Sequence, residues 1–147
     1  MGQSETHIRE VDLRTHKVTT IPGSKGLFSP HWSPDGRYLA ALSADNQRIM
    51  LFDFERQLWT TWMTAQDVDG RYMGYQVWSR DSRLLYFASP AGEWRTRPGQ
   101  HVAEKIMDLQ EQDEPRYDWS TVGPDGAVYF TRDRSSSEIY AVHLSEK

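Results

Sequence analysis

The stretch "HWSPDGRYLAALS", residues 31–43, places a tight-turn signal between a tryptophan and a run of alternating apolar residues. Pro34 fixes φ for the start of a turn, and Gly36 accepts the positive φ that other residues resist. Asp35 can accept hydrogen bonds from nearby backbone amides. The stretch therefore predicts a β-hairpin with its turn at residues 33–36.

The same pattern occurs twice more, as "VWSRDSRLLYFAS" from Val77 and "DWSTVGPDGAVYFTR" from Asp118. Periods in the forties with strand-like content are typical of β-propeller blades. We interpret the recurring tryptophans as packing between blades and the recurring aspartates as stabilising turns. The structural repeat positions are Trp32, Asp35 and Gly36 in the first copy, Trp78 and Asp81 in the second, and Trp119, Asp125 and Gly126 in the third.

A second register supports the repeat independently. The segment "IREVDLRTHKVTTI" from Ile8 matches "IMLFDFERQLWTTW" from Ile49, which aligns Asp12 with Asp53. The piece "IYAVHL" from Ile139 matches the start of the same unit. Two unlike segments therefore alternate, as expected for a blade built of two successive hairpins.

The period-two alternation predicts an all-β fold in one domain, residues 1–147, with about three four-stranded blades. Propeller rings usually have four to eight blades, so we expect a partial ring that oligomerisation completes. The strand at residues 17–21 is expected to pair with one at residues 138–144. The predicted blades are residues 28–65, 75–109 and 117–144, and residues 7–21 are predicted to give outer strands of a further or shared blade.

The composition limits the classes of partner. Asp and Glu number 21 against 17 Lys and Arg, a net charge of -4, which opposes binding to a phosphate backbone. The sequence has no cysteine, so disulfides and thiolate metal sites are excluded. We find neither a signal-peptide pattern nor an apolar run of about 18 residues. We therefore expect a cytoplasmic chain without nucleic-acid or membrane contact, or a periplasmic one if it is part of an exported protein.

Catalytic and metal-binding patterns are weak. The histidines do not follow the spacing of a zinc protease, and we find no nucleophile elbow or phosphate loop. "DVDG" at residues 67–70 begins like a calcium loop, but Trp78 stands where the bidentate glutamate belongs. We therefore expect no enzymatic activity, no cofactor and no metal, and we interpret "DVDG" as a turn between blades.

Four side chains are candidates for contact with a ligand or partner. His31 precedes Trp32 on a predicted innermost strand, where it faces the central channel or a blade interface. The other three are Trp59, Trp62 and Trp94, which lie on predicted outer strands. Packing within or between blades is the alternative interpretation for all four.

The motif "WSPDGRY" at residues 32–38 resembles the β-propeller repeat of the TolB family, a relative of the WD-repeat. The resemblance continues through "VWSRDSRLLYF" and "IYAVHL", and so covers nearly all of the chain from Ile8 onward. It implies a β-propeller architecture, and for such a propeller without catalytic patterns we predict action through protein–protein contact rather than through chemistry.

Three functions are compatible with this resemblance. The first is a non-enzymatic interaction module that self-assembles, most simply as two chains in a six-bladed ring. The second is the C-terminal sensory or regulatory propeller of a larger bacterial winged-helix regulator, or the gating propeller of an oligopeptidase. The third is a lectin-like propeller that binds a ligand through its outer tryptophans.

Overall fold

The computed structural model describes residues 6–68, 70–108, 117–123 and 126–132. These residues form β-strands, apart from turns, loops and one 3-10 helix, Ala65–Val68. The prediction of an all-β fold is confirmed. The strands are β1 Arg9–Val11, β2 Val18–Thr20, β3 Leu27–Trp32, β4 Tyr38–Ser43, β5 Arg48–Asp53, β6 Leu58–Thr64, β7 Gly74–Trp78, β8 Leu85–Ser89, β9 Gly92–Thr96, β10 Ala103–Asp108, β11 Tyr117–Val122 and β12 Val128–Arg132.

The strands form four antiparallel sheets in which consecutive strands pair. Strands β3 to β6 make one four-stranded sheet, here called blade 1, and β7 to β10 make another, blade 2. Strands β1 and β2 form the outer hairpin, and β11 and β12 form the inner hairpin. The strand predicted at residues 138–144, and its pairing with residues 17–21, lie outside the described residues.

The outer hairpin has the same turn as β5–β6 of blade 1. Asp12 and Asp53 each accept hydrogen bonds from the backbone amides two and three positions later, at 2.8 to 3.2 Å. The residue four positions after each aspartate has a positive φ, +57° at His16 and +53° at Gln57. The outer hairpin therefore has the local structure of the outer half of a blade.

The inner hairpin has the turn of an innermost strand pair. The amide of Gly126 donates to the carbonyl of Gly123 at 2.9 Å, as the amide of Gly36 donates to the carbonyl of Ser33 at 2.8 Å. Both Gly126 and Gly36 have a positive φ, at +82° and +75°. Gly123 is thus the equivalent of Ser33, whereas Asp125 lies outside the described residues.

This register corrects one sequence prediction. Val122, which precedes Gly123, takes the position that Trp32 and Trp78 hold in the other two innermost strands. Trp119 lies three residues earlier and is not the third copy of the repeated tryptophan. The register follows the turn, because the bonds of the turn and its positive φ position the residues beside it.

Apolar side chains pack on both faces of blade 1. Because successive side chains on a strand point to opposite faces, Ala40 and Leu42 contact the core toward blade 2, whereas Leu39 and Ala41 contact the core toward the outer hairpin. The first core also contains Ile49, Trp62, Met63, Trp78, Leu85 and Phe87. The second contains Ile8, Ile21, Leu27 and Phe52. The outer hairpin is therefore packed onto blade 1.

We predict that Gly92→Ala destabilises the fold by about 2 kcal/mol or more. Gly92 has φ +154°, and a Cβ there would lie 2.1 Å from the carbonyl oxygen of Met107 on the paired strand β10. Gly74→Ala is the control, because its Cβ would meet nothing within 4 Å. Chemical denaturation followed by tryptophan fluorescence measures both variants. Equal stability of Gly92→Ala and the parent would contradict the close approach of these strands.

Candidate binding surfaces

At the innermost strands, three hydrogen bonds cross the interface between blade 1 and blade 2. They connect these strands and the turns that follow them. The bonds are Trp78 Nε1 to the His31 carbonyl at 2.8 Å, Gln76 Nε2 to the Ser29 carbonyl at 2.7 Å, and the Asp35 amide to Ser82 Oγ at 2.9 Å. We call this interface the seam.

Ser82 shows why one turn glycine is absent. It occupies the position of Gly36 and has φ +60°, a conformation that costs a residue with a side chain more than it costs glycine. Its hydroxyl is buried and accepts the hydrogen bond from Asp35 across the seam. The serine thus supplies an inter-blade contact that glycine cannot make.

Trp32 occupies on blade 1 the position that Trp78 occupies on blade 2. Trp78 is buried in the seam, whereas Trp32 is 45% exposed and stacks on Phe54 with ring centroids 4.3 Å apart. No described residue accepts a hydrogen bond from the Trp32 indole. The outer hairpin covers the neighbouring part of this side of blade 1. We call the surface formed by Trp32 and Phe54 the open face.

Trp59 and Trp62 on β6 contact different neighbouring segments. Trp59 Nε1 donates to the carbonyl of Pro22 at 2.9 Å, so this side chain connects blade 1 to the segment after the outer hairpin. Trp62 is 2% exposed and donates to the carbonyl of Gln100 in blade 2 at 2.9 Å. Its ring also lies 5.7 Å from that of Trp78. Both indoles are engaged in packing on opposite sides of blade 1.

Trp94 is packed inside blade 2. Its indole donates to Ser89 Oγ at 2.9 Å, and the ammonium group of Lys105 lies 5.1 Å from its ring centroid. The ring itself is buried. The burial of Trp94 and Trp62 supports the packing alternative for both residues, and neither presents a surface to a ligand in this structure.

His31 lies beside a cavity of about 420 Å³ along the innermost strands. Burial lowers the pKa of its half-buried imidazole, so the ring is neutral near neutral pH. The amide oxygen of Gln76, also in the cavity wall, is buried without a hydrogen-bond partner among the described atoms. Further residues of the wall are Phe28, Leu42, Met73 and Thr121.

The aspartates of the repeat are turn residues. Asp35 accepts a hydrogen bond from Ser33 Oγ at 2.6 Å, and Asp81 accepts one from Ser79 Oγ at 2.7 Å. Each carboxylate also accepts a bond from the amide two positions later, at 3.0 and 3.1 Å. These bonds, the serine hydroxyl first, hold the pKa of both carboxyls below the usual value. The arrangement matches the structural interpretation of these residues.

The sequence analysis missed a third example of this turn. Asp45 accepts hydrogen bonds from Ser43 Oγ and from the amide of Gln47 between β4 and β5, and its pKa is lowered for the same reason. The signal is the spacing Ser-x-Asp, which these three turns share. A search for that spacing, rather than for the tryptophan, finds all three.

Of the "DVDG" segment, Asp67 and Val68 lie in the 3-10 helix and Gly70 lies after it. The carboxylate of Asp67 accepts hydrogen bonds from the amide and hydroxyl of Thr64, at 2.7 and 2.8 Å. Asp67 thus provides a hydrogen-bond acceptor for the backbone amide of Thr64 at the end of β6. Among the described residues, no group of three or more histidines and acidic residues is placed to hold a metal ion. That part of the chain also has no helix with the length and apolarity needed to cross a membrane.

Comparison with solved structures shows the fold of this chain to be that of TolB-like β-propellers. The crystal structure of TolB from Acinetobacter baumannii superposes with a TM-score of 0.68 at 20% identity, covering 92% of this chain and 34% of TolB. An auxiliary nutrient binding protein from Bacteroides thetaiotaomicron superposes with a TM-score of 0.62 at 16% identity, covering 87% of this chain and 31% of that protein. The chain thus spans about a third of each. The sequence matches no protein-family model and no curated protein.

The hydrogen bond of Trp78 across the seam predicts that two equivalent tryptophans contribute differently to the free energy of unfolding. Trp78→Phe should lower the free energy of unfolding by about 1–3 kcal/mol, because it removes the indole donor and leaves the carbonyl of His31 without that partner. Trp32→Phe keeps the stack on Phe54 and should change stability by less than about 0.5 kcal/mol. Urea denaturation in dilute solution measures both. Equal losses would contradict the assignment of Trp32 to an open face.

The serine–aspartate turns predict sensitivity to acid. The folded pKa of Asp81 lies below its unfolded pKa, so the stabilisation is present above the unfolded pKa and is lost as the pH falls through the folded pKa. Asp81→Asn should therefore lose less stability than the parent between about pH 6 and about pH 3. Ser79→Ala, which removes the first cause of the shift, should behave similarly. An unchanged pH dependence in both variants would show that these bonds do not favour the charged carboxylate.

Proposed function

We propose that this chain is a non-enzymatic protein–protein interaction module whose contact surface is the open face of blade 1. The observation that carries the proposal is the exposure of Trp32 at a position where Trp78 is buried against a neighbouring blade. Exposed tryptophans contribute disproportionately to the affinity of protein interfaces. The indole N–H of Trp32, which donates to no described residue, adds a donor that a partner's backbone carbonyl can satisfy.

The simplest partner is a second copy of the chain. The described residues contain two four-stranded blades, one outer hairpin and one inner hairpin, so among these residues each hairpin is half of a four-stranded blade. Sheet edges that lack a partner favour strand addition from another chain. Two copies that combine these parts would make a ring of six blades, which lies within the usual range for propellers.

A second proposal is that the chain is the propeller portion of a larger protein, a bacterial winged-helix regulator or an oligopeptidase. The coverage supports it, because the chain spans only about a third of each of the two solved structures with its fold. In that arrangement a preceding blade of the same polypeptide covers the open face. Expression of a longer reading frame should then give a monomer in which Trp32 is protected from solvent.

A third proposal, favoured by the cavity beside His31, is that the module binds a small ligand. Its walls are largely apolar, and His31 and Gln76 are among the polar residues that line them. A metabolite and glycan screen should then yield a ligand whose binding weakens in His31→Ala. The control Trp94→Phe should bind as the parent does, because Trp94 is not part of the cavity wall.

Self-association provides the direct test of the open face. Light scattering across a dilution series should give a mass of two chains at high concentration, and Trp32→Ala should weaken the dimer at least about tenfold. Leu58→Ala is the matched control, because Leu58 is an exposed apolar residue on β6 and outside the open face. A monomeric mass at every concentration would contradict self-association. Equal effects of the two substitutions would contradict the assignment of the contact to Trp32.

A further inference from the structure

We infer that the inner hairpin of a second copy completes the outer hairpin into a four-stranded blade in the order β11, β12, β1, β2, seated on Trp32. This inference rests on the proposed self-association and specifies its geometry. It concerns which strands meet and in which register. Both can be read from the contacts that blade 1 already makes within one chain.

The outer hairpin has the same position relative to blade 1 as the outer half of blade 1 has relative to blade 2. Ile8 and Ile21 correspond to Ile49 and Trp62, which lie 41 residues later in the chain. Ile49 and Trp62 are buried in the core toward blade 2, and Ile8 and Ile21 are buried in the core toward blade 1. The outer hairpin therefore packs on blade 1 as β5–β6 pack on blade 2.

Among the described residues, no strand pair occupies the inner half of that blade. In blade 1, β5 pairs with β4 on one edge and with β6 on the other. Its equivalent β1 pairs only with β2 among the described strands. Within the described ranges β12, the equivalent of β4, likewise pairs only with β11. The edge of β1 in one copy can therefore pair with the edge of β12 in another copy, as β5 pairs with β4 in blade 1.

Blade 1 supplies the register through its β4–β5 pairs. There Leu39 lies opposite Phe52, and Ala40 lies opposite Leu51. Leu39 on β4 lies opposite Trp32, and Val128 on β12 lies opposite Val122, so Leu39 and Val128 are equivalent. The next residues along these strands, Ala40 and Tyr129, are then equivalent as well.

The spacing of 41 residues places Val11 on Phe52 and Glu10 on Leu51. The predicted contact between copies therefore has Val128 opposite Val11, and Tyr129 opposite Glu10. Val11 and Tyr129 are each at least half exposed in the single chain, so pairing buries apolar surface on both copies.

The seam gives a second, independent contact. Trp78 donates to the carbonyl of His31, the residue just before the Trp position on the innermost strand of blade 1. The equivalent of His31 on the inner hairpin is Thr121, which precedes Val122. When the second copy is seated, the indole of Trp32 therefore donates to the carbonyl of its Thr121.

These contacts join the C-terminal end of the described chain in one copy to the N-terminal end in the other. Such a head-to-tail contact uses two different surfaces, and it forms a closed assembly when the rotation returns to the first copy. Two copies that contribute three blades each would close such an assembly as a six-bladed ring. A face-to-face dimer through two Trp32 side chains would instead use one surface twice.

Disulfide crosslinking tests the strands and the register together, since the sequence contains no cysteine of its own. A tagged Glu10→Cys chain is mixed with an untagged Tyr129→Cys chain and oxidised gently. The mixed disulfide should exceed both homodimers several-fold on a non-reducing gel. The matched control replaces Tyr129→Cys by Val128→Cys. Its side chain points to the opposite sheet face, so it should crosslink poorly to Glu10→Cys.

The outcomes separate this inference from the proposed function. If the parent is dimeric by light scattering but the mixed disulfide does not exceed the homodimers, the register is wrong while self-association stands. That result would favour the strand predicted at residues 138–144 as the neighbour of β12. If the parent is monomeric at every concentration, self-association and the inference both fail. A mixed disulfide that requires residue 129 and not residue 128 supports the inference.

Discussion

The hydrogen bond from the Trp78 indole to the carbonyl of His31 connects two sheets that share no strand. Each blade is closed by its own backbone ladder, so inter-blade order depends on side chains. The tryptophan suits this role because its ring fills the core while its N–H satisfies a backbone acceptor on the neighbouring sheet. The bonds of Gln76 and Ser82 add to this one, and all three lie near the innermost strands. The outer side of the interface is held by Trp62, which packs in the core and donates a hydrogen bond to the carbonyl of Gln100 in blade 2.

Much of this architecture was predictable from the sequence because it depends on local chemistry. The period-two alternation and the turn residues predicted both four-stranded sheets, and Asp12 and Asp53 do lie in equivalent turns. The position of Trp119 was not predictable in this way. Trp119 is the most conspicuous residue of the third copy, whereas the register depends on the backbone bonds of the turn at Gly123.

The candidate site was less predictable, because burial depends on which neighbour covers a strand. Nothing local distinguishes Trp32 from Trp78, since both precede a turn of the same kind. Their different exposure arises from the presence of a neighbouring blade on one side and its absence among the described residues on the other. For the same reason Trp62 and Trp94 could be placed on strands from the sequence, while their hydrogen-bond partners, Gln100 and Ser89, could not be identified.

The substitution of valine for tryptophan at position 122 makes the contacts between successive blades unequal. Blade 2 is attached to blade 1 by an indole hydrogen bond, but Val122 has no donor with which to attach the inner hairpin to blade 2 in the same way. The indole bond that holds blade 2 to blade 1 is thus not repeated at Val122, so successive blades of one chain are joined by different chemistry.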